Sequence, residues 1–196
     1  MKKLIKVEKL TEEKYLNLFN ATYNHQGKEL VWTYASRRDY ENLSIKGNKK
    51  TDAVMILPYF YDNNKLFVVV IKEFRSSINN YTYSLPAGIV EKDEDTKITA
   101  IRETSEEIGA SVLNLFKTQK SSLTSAGLTD EELECFEAEI ALDGIQNLDE
   151  CEDINLKIIS FDDIIDFVDK NEFCLPAALQ LKLFYYKTKF NISNNK

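Results

Sequence analysis

Histidine is almost absent from this 196-residue chain: His25 is the only one. Hydrolytic schemes that use imidazole as base or relay, the Ser-His-Asp type among them, therefore have almost nothing to draw on. His25 itself sits in a turn-like Asn-His-Gln-Gly stretch, where a solvated loop position is expected. Cysteine is scarce as well. Cys135, Cys151 and Cys174 are odd in number and lack Cys-x-x-Cys spacing, which argues against structural zinc or a disulfide framework and suits a reducing cytosol. No stretch approaches the roughly 18 apolar residues of a membrane span. The start Met1-Lys2-Lys3 leads into alternating charge and not into the apolar core of a signal sequence. A soluble, cytoplasmic protein is expected. Positive charge is also in deficit: 25 Lys and Arg against 32 Asp and Glu leave a net charge of −7. That sign argues against a nucleic-acid backbone or an anionic membrane as partner. A phosphorylated small molecule stays open, because bound cations reverse the local sign.

What is present is enough apolar material for one sizeable core, with 43% hydrophobic residues including 11 Phe and 10 Tyr. Residues 4 to 10 and 29 to 37 read as strands, with residues 11 to 23 a short helix or irregular chain between them. Asn48-Lys49-Lys50 reads as a linker. Apolar runs at 53 to 59 and 66 to 72 join through Asp62-Asn63-Asn64, a hairpin. Between 134 and 142, Phe136, Ala138, Ile140 and Leu142 alternate with Cys135, Glu137 and Glu139 as in a strand. A strand at 156 to 160 precedes a helix opened by Ser160 with Asp163 as a weak capping box. Pro176 starts a last helix ending near Lys187, and residues 191 to 196 read as a frayed end. A mixed sheet between helices, an α/β fold, is the natural packing.

Residues 98 to 108 have helical character, with Asp93, Glu94 and Asp95 before them and Gly109 to end the helix. Glu103, Glu106 and Glu107 share an arc roughly 100° wide. Ile98, Ile101, Thr104 and Ile108 lie opposite, and that side is expected to be the buried one. Three carboxylates so close repel one another, and a divalent cation removes the conflict. All-oxygen ligands suit Mg²⁺ or Mn²⁺ and not zinc.

The spacing around this helix is specific. Gly88, Glu94, Arg102, Glu103, Glu106, Glu107 and Gly109 occupy every fixed position of a pattern G-x5-E-x7-R-E-U-x-E-E-x-G-U, where U is aliphatic. Thr104 and Ala110 depart only at the aliphatic slots. The segment resembles the signature of the Nudix hydrolases, most nearly that of their ADP-ribose pyrophosphatase branch. The resemblance implies a Nudix-type α/β/α sandwich with a mixed sheet over residues 46 to 196, preceded by a small N-terminal β appendage over residues 1 to 45. It also implies Mg²⁺, with Mn²⁺ as substitute, held by Glu103, Glu106, Glu107 and the backbone carbonyl of Ala87. Arg102 becomes a positioning cation beside Glu94.

Further likenesses extend outward from the box. Ser84-Leu85-Pro86-Ala87-Gly88 resembles the branch's E-x-P-A-G, with Ser84 in place of Glu. Lys72-Glu73-Phe74-Arg75 resembles its Q-[YF]-R, which makes Arg75 a substrate contact. Asp149-Glu150-Cys151-Glu152-Asp153-Ile154 resembles its acidic loop, in which Glu150 matches the general base and Glu152 follows two positions on. Ser125-Ala126-Gly127-Leu128 resembles a Ser-Pro-Gly turn with Ala126 in place of Pro, and Gly127, like Gly88, is implied on the substrate side. Trp32 and Arg37 match the residues that contact the adenine end in dimeric members. The implied activity is hydrolysis of a nucleoside diphosphate linked to another moiety, ADP-ribose first, by a homodimer; the alternatives are another nucleotide sugar or a dinucleotide as substrate, or a non-catalytic sensor of an ADP-ribose-like ligand.

Overall fold

The computed structural model describes residues 1–48 and 50–194; Lys49 of the expected linker and Asn195 and Lys196 of the expected frayed end lie outside the described residues. Backbone contacts divide the chain into two compact units, Met1–Asp52 with Ser121–Leu133, and Ala53–Lys120 with Glu134–Lys196.

In the first unit β1 (Lys3–Lys9), β2 (Asn17–His25) and β3 (Lys28–Ser36) form an antiparallel meander. Periodicity alone leaves the β2 stretch between helix and irregular chain, yet it is paired on both edges. Phe19 and Ala21 supply its buried side, with Phe19 stacked on Tyr34 at 5.7 Å. His25 is not a loop residue. It closes β2 opposite Lys28 and is partly buried, while Gln26 and Gly27, at φ 54° and 78°, make the two-residue turn. Beyond β3, Arg38 is 9% exposed and grips Asp52 through Nε (2.8 Å) and Nη2 (2.7 Å). Asp52 in turn accepts from the backbone N–H of Glu132 at 2.8 Å, so one ion pair joins both segments of this unit.

The second unit is built on β4 (Ala53–Asp62), β5 (Lys65–Arg75), β6 (Asn80–Ser84), β7 (Ala87–Ile89), β8 (Ser111–Leu123), β9 (Glu132–Ala141) and β10 (Ile154–Ser160). Its helices are α1 (Thr96–Glu103), α2 (Ile164–Lys170) and α3 (Leu175–Asn194). The strand order is β10-β5-β4-β9-β8, with β6 paired to β5 and β7 to β4, in an α/β fold with a mixed sheet and helices. Asn63 and Asn64, at φ 48° and 62°, turn the β4–β5 hairpin. Val54 and Ile56 of β4, Val69 of β5, and Phe136, Ala138 and Ile140 of β9 pack with Ala100 and Ile108. On the alternate side of β4, Tyr59 meets Phe184 of α3 at 5.5 Å. Strands covered on both faces read as continuous apolar runs, as Val54 to Leu57 do. The same cover buries Glu137, which is 7% exposed and takes Lys187 of α3 at 3.0 Å.

Three readings change at the ends of elements. α3 runs to Asn194, past the expected stop near Lys187. The α2 region opens with a 3-10 turn, Phe161–Asp163, in which Ser160 makes no side-chain cap. β8, 13 residues long, follows the box helix where no strand pattern stands out in the sequence. Among the described residues no helix is long and apolar enough to cross a membrane.

Candidate active site

α1 starts at Asp95, whose side chain accepts from Lys97 N–H, and passes at Thr104 into a π-helical turn over Thr104–Ile108. Such a turn inside a helix is commonly found where function needs a displaced side chain. Gly109 ends it at φ 69°. A Cβ there would lie 2.5 Å from the backbone carbon of Ile145, so this glycine is required both by its dihedral and by the chain crossing it. The two aliphatic-slot departures are both buried. Ala110 lies in the core, and Thr104 satisfies its hydroxyl on the carbonyl of Ala100 at 2.7 Å.

The orientation of this helix departs in part from the sequence expectation: Thr104 and Ile108 are buried as expected, at 0% and 3%, but the other two isoleucines are not. Ile98 and Ile101 are exposed, at 58% and 47%, whereas Glu103 and Glu107 are 8% and 4% exposed. Small Thr99, Ala100 and Thr104 let the helix lie close to the sheet, and that contact face carries the glutamates with it. The approach is closest at Gly88, where a Cβ would stand 1.7 Å from Oε1 of Glu103. Glu107 Oε2 accepts from the N–H of Ala87 at 3.2 Å.

Arg102 organises the rim. Its Nε and Nη2 each meet a Glu94 oxygen at 3.1 Å, and Nη1 meets Glu103 at 2.7 Å and Glu106 at 2.9 Å. Glu94 is held down at about 2, first by these bonds from Arg102 and then by the Thr99 hydroxyl, against the opposing effect of burial. The inner carboxylates move the other way. Burial, then the charge of Glu103, raises Glu107 to about 9, with Glu73 and Glu152 adding to the effect and the Ala87 N–H opposing it. Burial likewise raises Glu103; Arg102 opposes this, while Glu106 and Glu152 reinforce it.

The residue pattern has a counterpart in known proteins. The model of the NUDIX domain matches residues 49–177. The chain belongs to this family. An ADP-ribose pyrophosphatase of Bacillus subtilis (strain 168) is 32% identical over 107 residues, covering 54% of this chain and 57% of the relative. An ADP-sugar pyrophosphatase of Mus musculus is 30% identical over 104 residues, covering 52% and 45% respectively. The chain thus spans about half the length of these curated relatives. The crystal structure of an ADP compounds hydrolase superposes with a TM-score of 0.70, at 14% identity, over 96% of this chain and 95% of that one, which shows a shared fold.

Within the Nudix unit the structure gathers Ala87, Gly88, Arg102, Glu103, Glu106 and Glu107 into one network. The loop bearing Glu150 and Glu152 is tied to the same helix, through Asn147 N–H on the carbonyl of Glu106 and the Gln146 side chain on that of Glu107, both at 2.8 Å. Glu150 is exposed on this loop. Glu152 is half-buried, accepts from Asp149 N–H at 2.9 Å, and directs its charge at Glu73, Glu103 and Glu107. Arg75 ends β5 and pairs with Glu73 at 2.7 Å. Glu73 is the member that reading the sequence misses; its alternation with Arg75 along β5 puts the two on one face.

Trp32, Arg37 and Gly127 belong to the first unit. Trp32 is 58% exposed and lines a recess of about 190 Å³ with Tyr23, Tyr34 and Asp130. Arg37 pairs with Glu131 at 3.3 Å. Gly127 lies in a turn closed by Leu128 N–H and Thr129 N–H on the Ser125 carbonyl, so the turn persists with Ala126 in it.

The Nudix contact at Gly88 yields a direct expectation. Gly88→Ala forces the Glu103 carboxylate aside, a flexible group that can move, so the fold survives and the site does not. We expect an unchanged circular dichroism spectrum and a fall in kcat of roughly 10²-fold, the scale of a misplaced catalytic group. Near-normal turnover would show that Glu103 does not act from this position.

Proposed function

We infer that the chain is a pyrophosphohydrolase dependent on a divalent cation, and that it cleaves a nucleoside diphosphate linked to a second moiety, with ADP-ribose giving AMP and ribose 5-phosphate the first candidate. The observation that carries this is the buried pair Glu103 and Glu107, two carboxylates on one inner helix face beside Gly88 and Ala87. Among the described residues no three acidic, His or Cys side chains already close round an ion. Arg102 instead occupies Glu103 and Glu106, and a cation would draw these oxygens to itself. The chemistry of the donors fits a hard cation: all are oxygens, and their mutual repulsion is relieved by positive charge. Glu103, Glu106, Glu107 and the Ala87 carbonyl would hold Mg²⁺ or Mn²⁺.

The bound cation would screen the diphosphate, acidify water and offset charge on the leaving phosphate. Arg102, anchored on Glu94, keeps Glu103 and Glu106 in register. Arg75 would meet the diphosphate. Glu152, half-buried and bonded to Asp149 N–H, is our choice of acceptor for the water's proton; resemblance alone selects Glu150. The Trp32 recess suits a planar base. A relative described as an ADP-sugar pyrophosphatase supports a second reading, another nucleotide sugar or a dinucleotide as substrate. The test is release of nucleoside monophosphate from a panel of ADP-ribose, other nucleotide sugars and dinucleotides. Chelated protein should release none, Mg²⁺ or Mn²⁺ should restore release, and inactivity towards the whole panel with cation present would remove the proposal.

We further propose that the first unit joins two copies of the chain. Leu18, Leu30, Val31 and Trp32 are 42%, 42%, 58% and 58% exposed on a three-stranded sheet, a layer that seldom stands alone. Light scattering at micromolar concentration should give a dimer, and Val31→Glu should give a monomer. A monomeric wild type would contradict the proposal.

A further inference from the structure

We propose that Glu73 is a further cation ligand of this site, delivered from the sheet on the face it shares with Ser84. The inference rests on the functional reading above and adds a residue to it. β5 and β6 pair with Ile71 opposite Ser84 and Glu73 opposite Thr82. Residues 71 and 73 alternate onto the same face, and cross-strand partners share a face, so Glu73 and Ser84 are diagonal neighbours, about 7–8 Å apart. Ser84 is 1% exposed and brings only a hydroxyl. The Glu73 side chain is 16% exposed, so its carboxylate is turned inward and not into solvent.

Two further elements bring carboxylates towards it. β10 pairs Ile154 with Glu73, and Phe74 N–H donates to the Asp153 carbonyl at 3.2 Å, which seats Glu152 next to this end of β5. From the helix side, Glu107 feels the negative charge of Glu73. Burial raises Glu73, Glu152 raises it further, and only Arg75, at 2.7 Å, opposes them. A surface ion pair with Arg75 does not account for a carboxylate turned inward on the face that bears Ser84, with Glu152 near the start of the neighbouring strand. Arg75 is 42% exposed at its side chain, and turning towards a bound diphosphate would release Glu73 to a cation.

Mn²⁺ binding without substrate tests this, by calorimetry on folded protein with melting temperatures as control. Glu73→Gln is expected to weaken Mn²⁺ about tenfold or more, or to remove one equivalent. Arg75→Ala is expected to leave binding equal or tighter, because it frees Glu73. Adding Ser84→Glu to Glu73→Gln is expected to recover binding, since the new carboxylate enters from the adjacent position on the same face. Unchanged binding in Glu73→Gln overturns the inference, as does a loss in Arg75→Ala equal to that in Glu73→Gln, which would mean that Glu73 acts only by holding Arg75. A folded double variant without recovery overturns the shared position of residues 73 and 84. A wild type that takes up no Mn²⁺ strikes instead at the functional reading itself.

Discussion

Replacing Glu107 by Gln is expected to abolish turnover and yet, in cation-free protein, to raise the melting temperature at alkaline pH. The two effects have one origin. Glu107 is 4% exposed, and burial beside Glu103 raises its carboxyl from the ordinary 4.5 to about 9. A folded value above the unfolded one means that the folded chain retains a proton that the unfolded chain has lost. The associated stability is complete below about pH 4.5 and disappears as pH rises through about 9. Cation-free wild type should therefore lose melting temperature steadily across that window. Gln keeps an oxygen to accept from Ala87 N–H and has no proton to lose, so this contribution to the slope should vanish, with a gain of roughly 5–10 °C near pH 9. Mg²⁺ should stabilise the wild type increasingly towards high pH, because it binds the deprotonated form and releases the proton, and it should do little for the variant. In assays with Mg²⁺ the variant should lose roughly 10³-fold or more in kcat, about 4 kcal/mol of transition-state stabilisation. Differential scanning fluorimetry across pH with and without Mg²⁺, beside steady-state kinetics, measures both. Full activity in the variant would remove Glu107 from the chemistry.

The acidic loop gives the second large effect. Glu152→Gln should lower kcat by roughly 10²–10⁴-fold with little change in KM, the usual scale for a lost general base, whereas Glu150→Gln should cost much less. The family resemblance alone favours the opposite order. What tips the balance is environment: Glu150 is exposed, while Glu152 is half-buried, bonded to Asp149 N–H and near enough for its charge to raise Glu73, Glu103 and Glu107. The kcat ranking of the two variants decides between them. A larger loss at Glu150 would return the role to it, and equal small losses would exclude both.

Much of the local chemistry was legible because it depends on short-range spacing. Gly88, Glu94, Arg102, Glu103, Glu106, Glu107 and Gly109 lie within about two dozen residues, and helix geometry relates most of them without help from the rest of the chain. The hairpin marked by Asn63-Asn64 was similarly plain, since few residues tolerate positive φ. β2 and β8 were not. An isolated stretch with weak alternation becomes a strand only when neighbours pair with both its edges or cover it. Glu73 was hidden for a related reason: apart from Arg75 on its own strand, its neighbours come from across the sheet, on β6 and β10.

The sequence by itself determined the family pattern, the choice of carboxylate over histidine chemistry, and the two glycines on which the box depends. Tertiary structure alone decided which face of α1 is inner. The apolar rule assigns burial to Ile98 and Ile101, but close packing favoured the face with Thr99, Ala100 and Thr104, whose small side chains let helix and sheet approach until Glu103 meets Gly88. Composition cannot foresee that choice, because burying Glu103 and Glu107 is unfavourable for the helix alone and is settled only by the approach of Ala87 and Gly88. Long-range contacts thus turned an acidic surface stripe into an enclosed group of competing charges, the feature on which the proposed cation site rests.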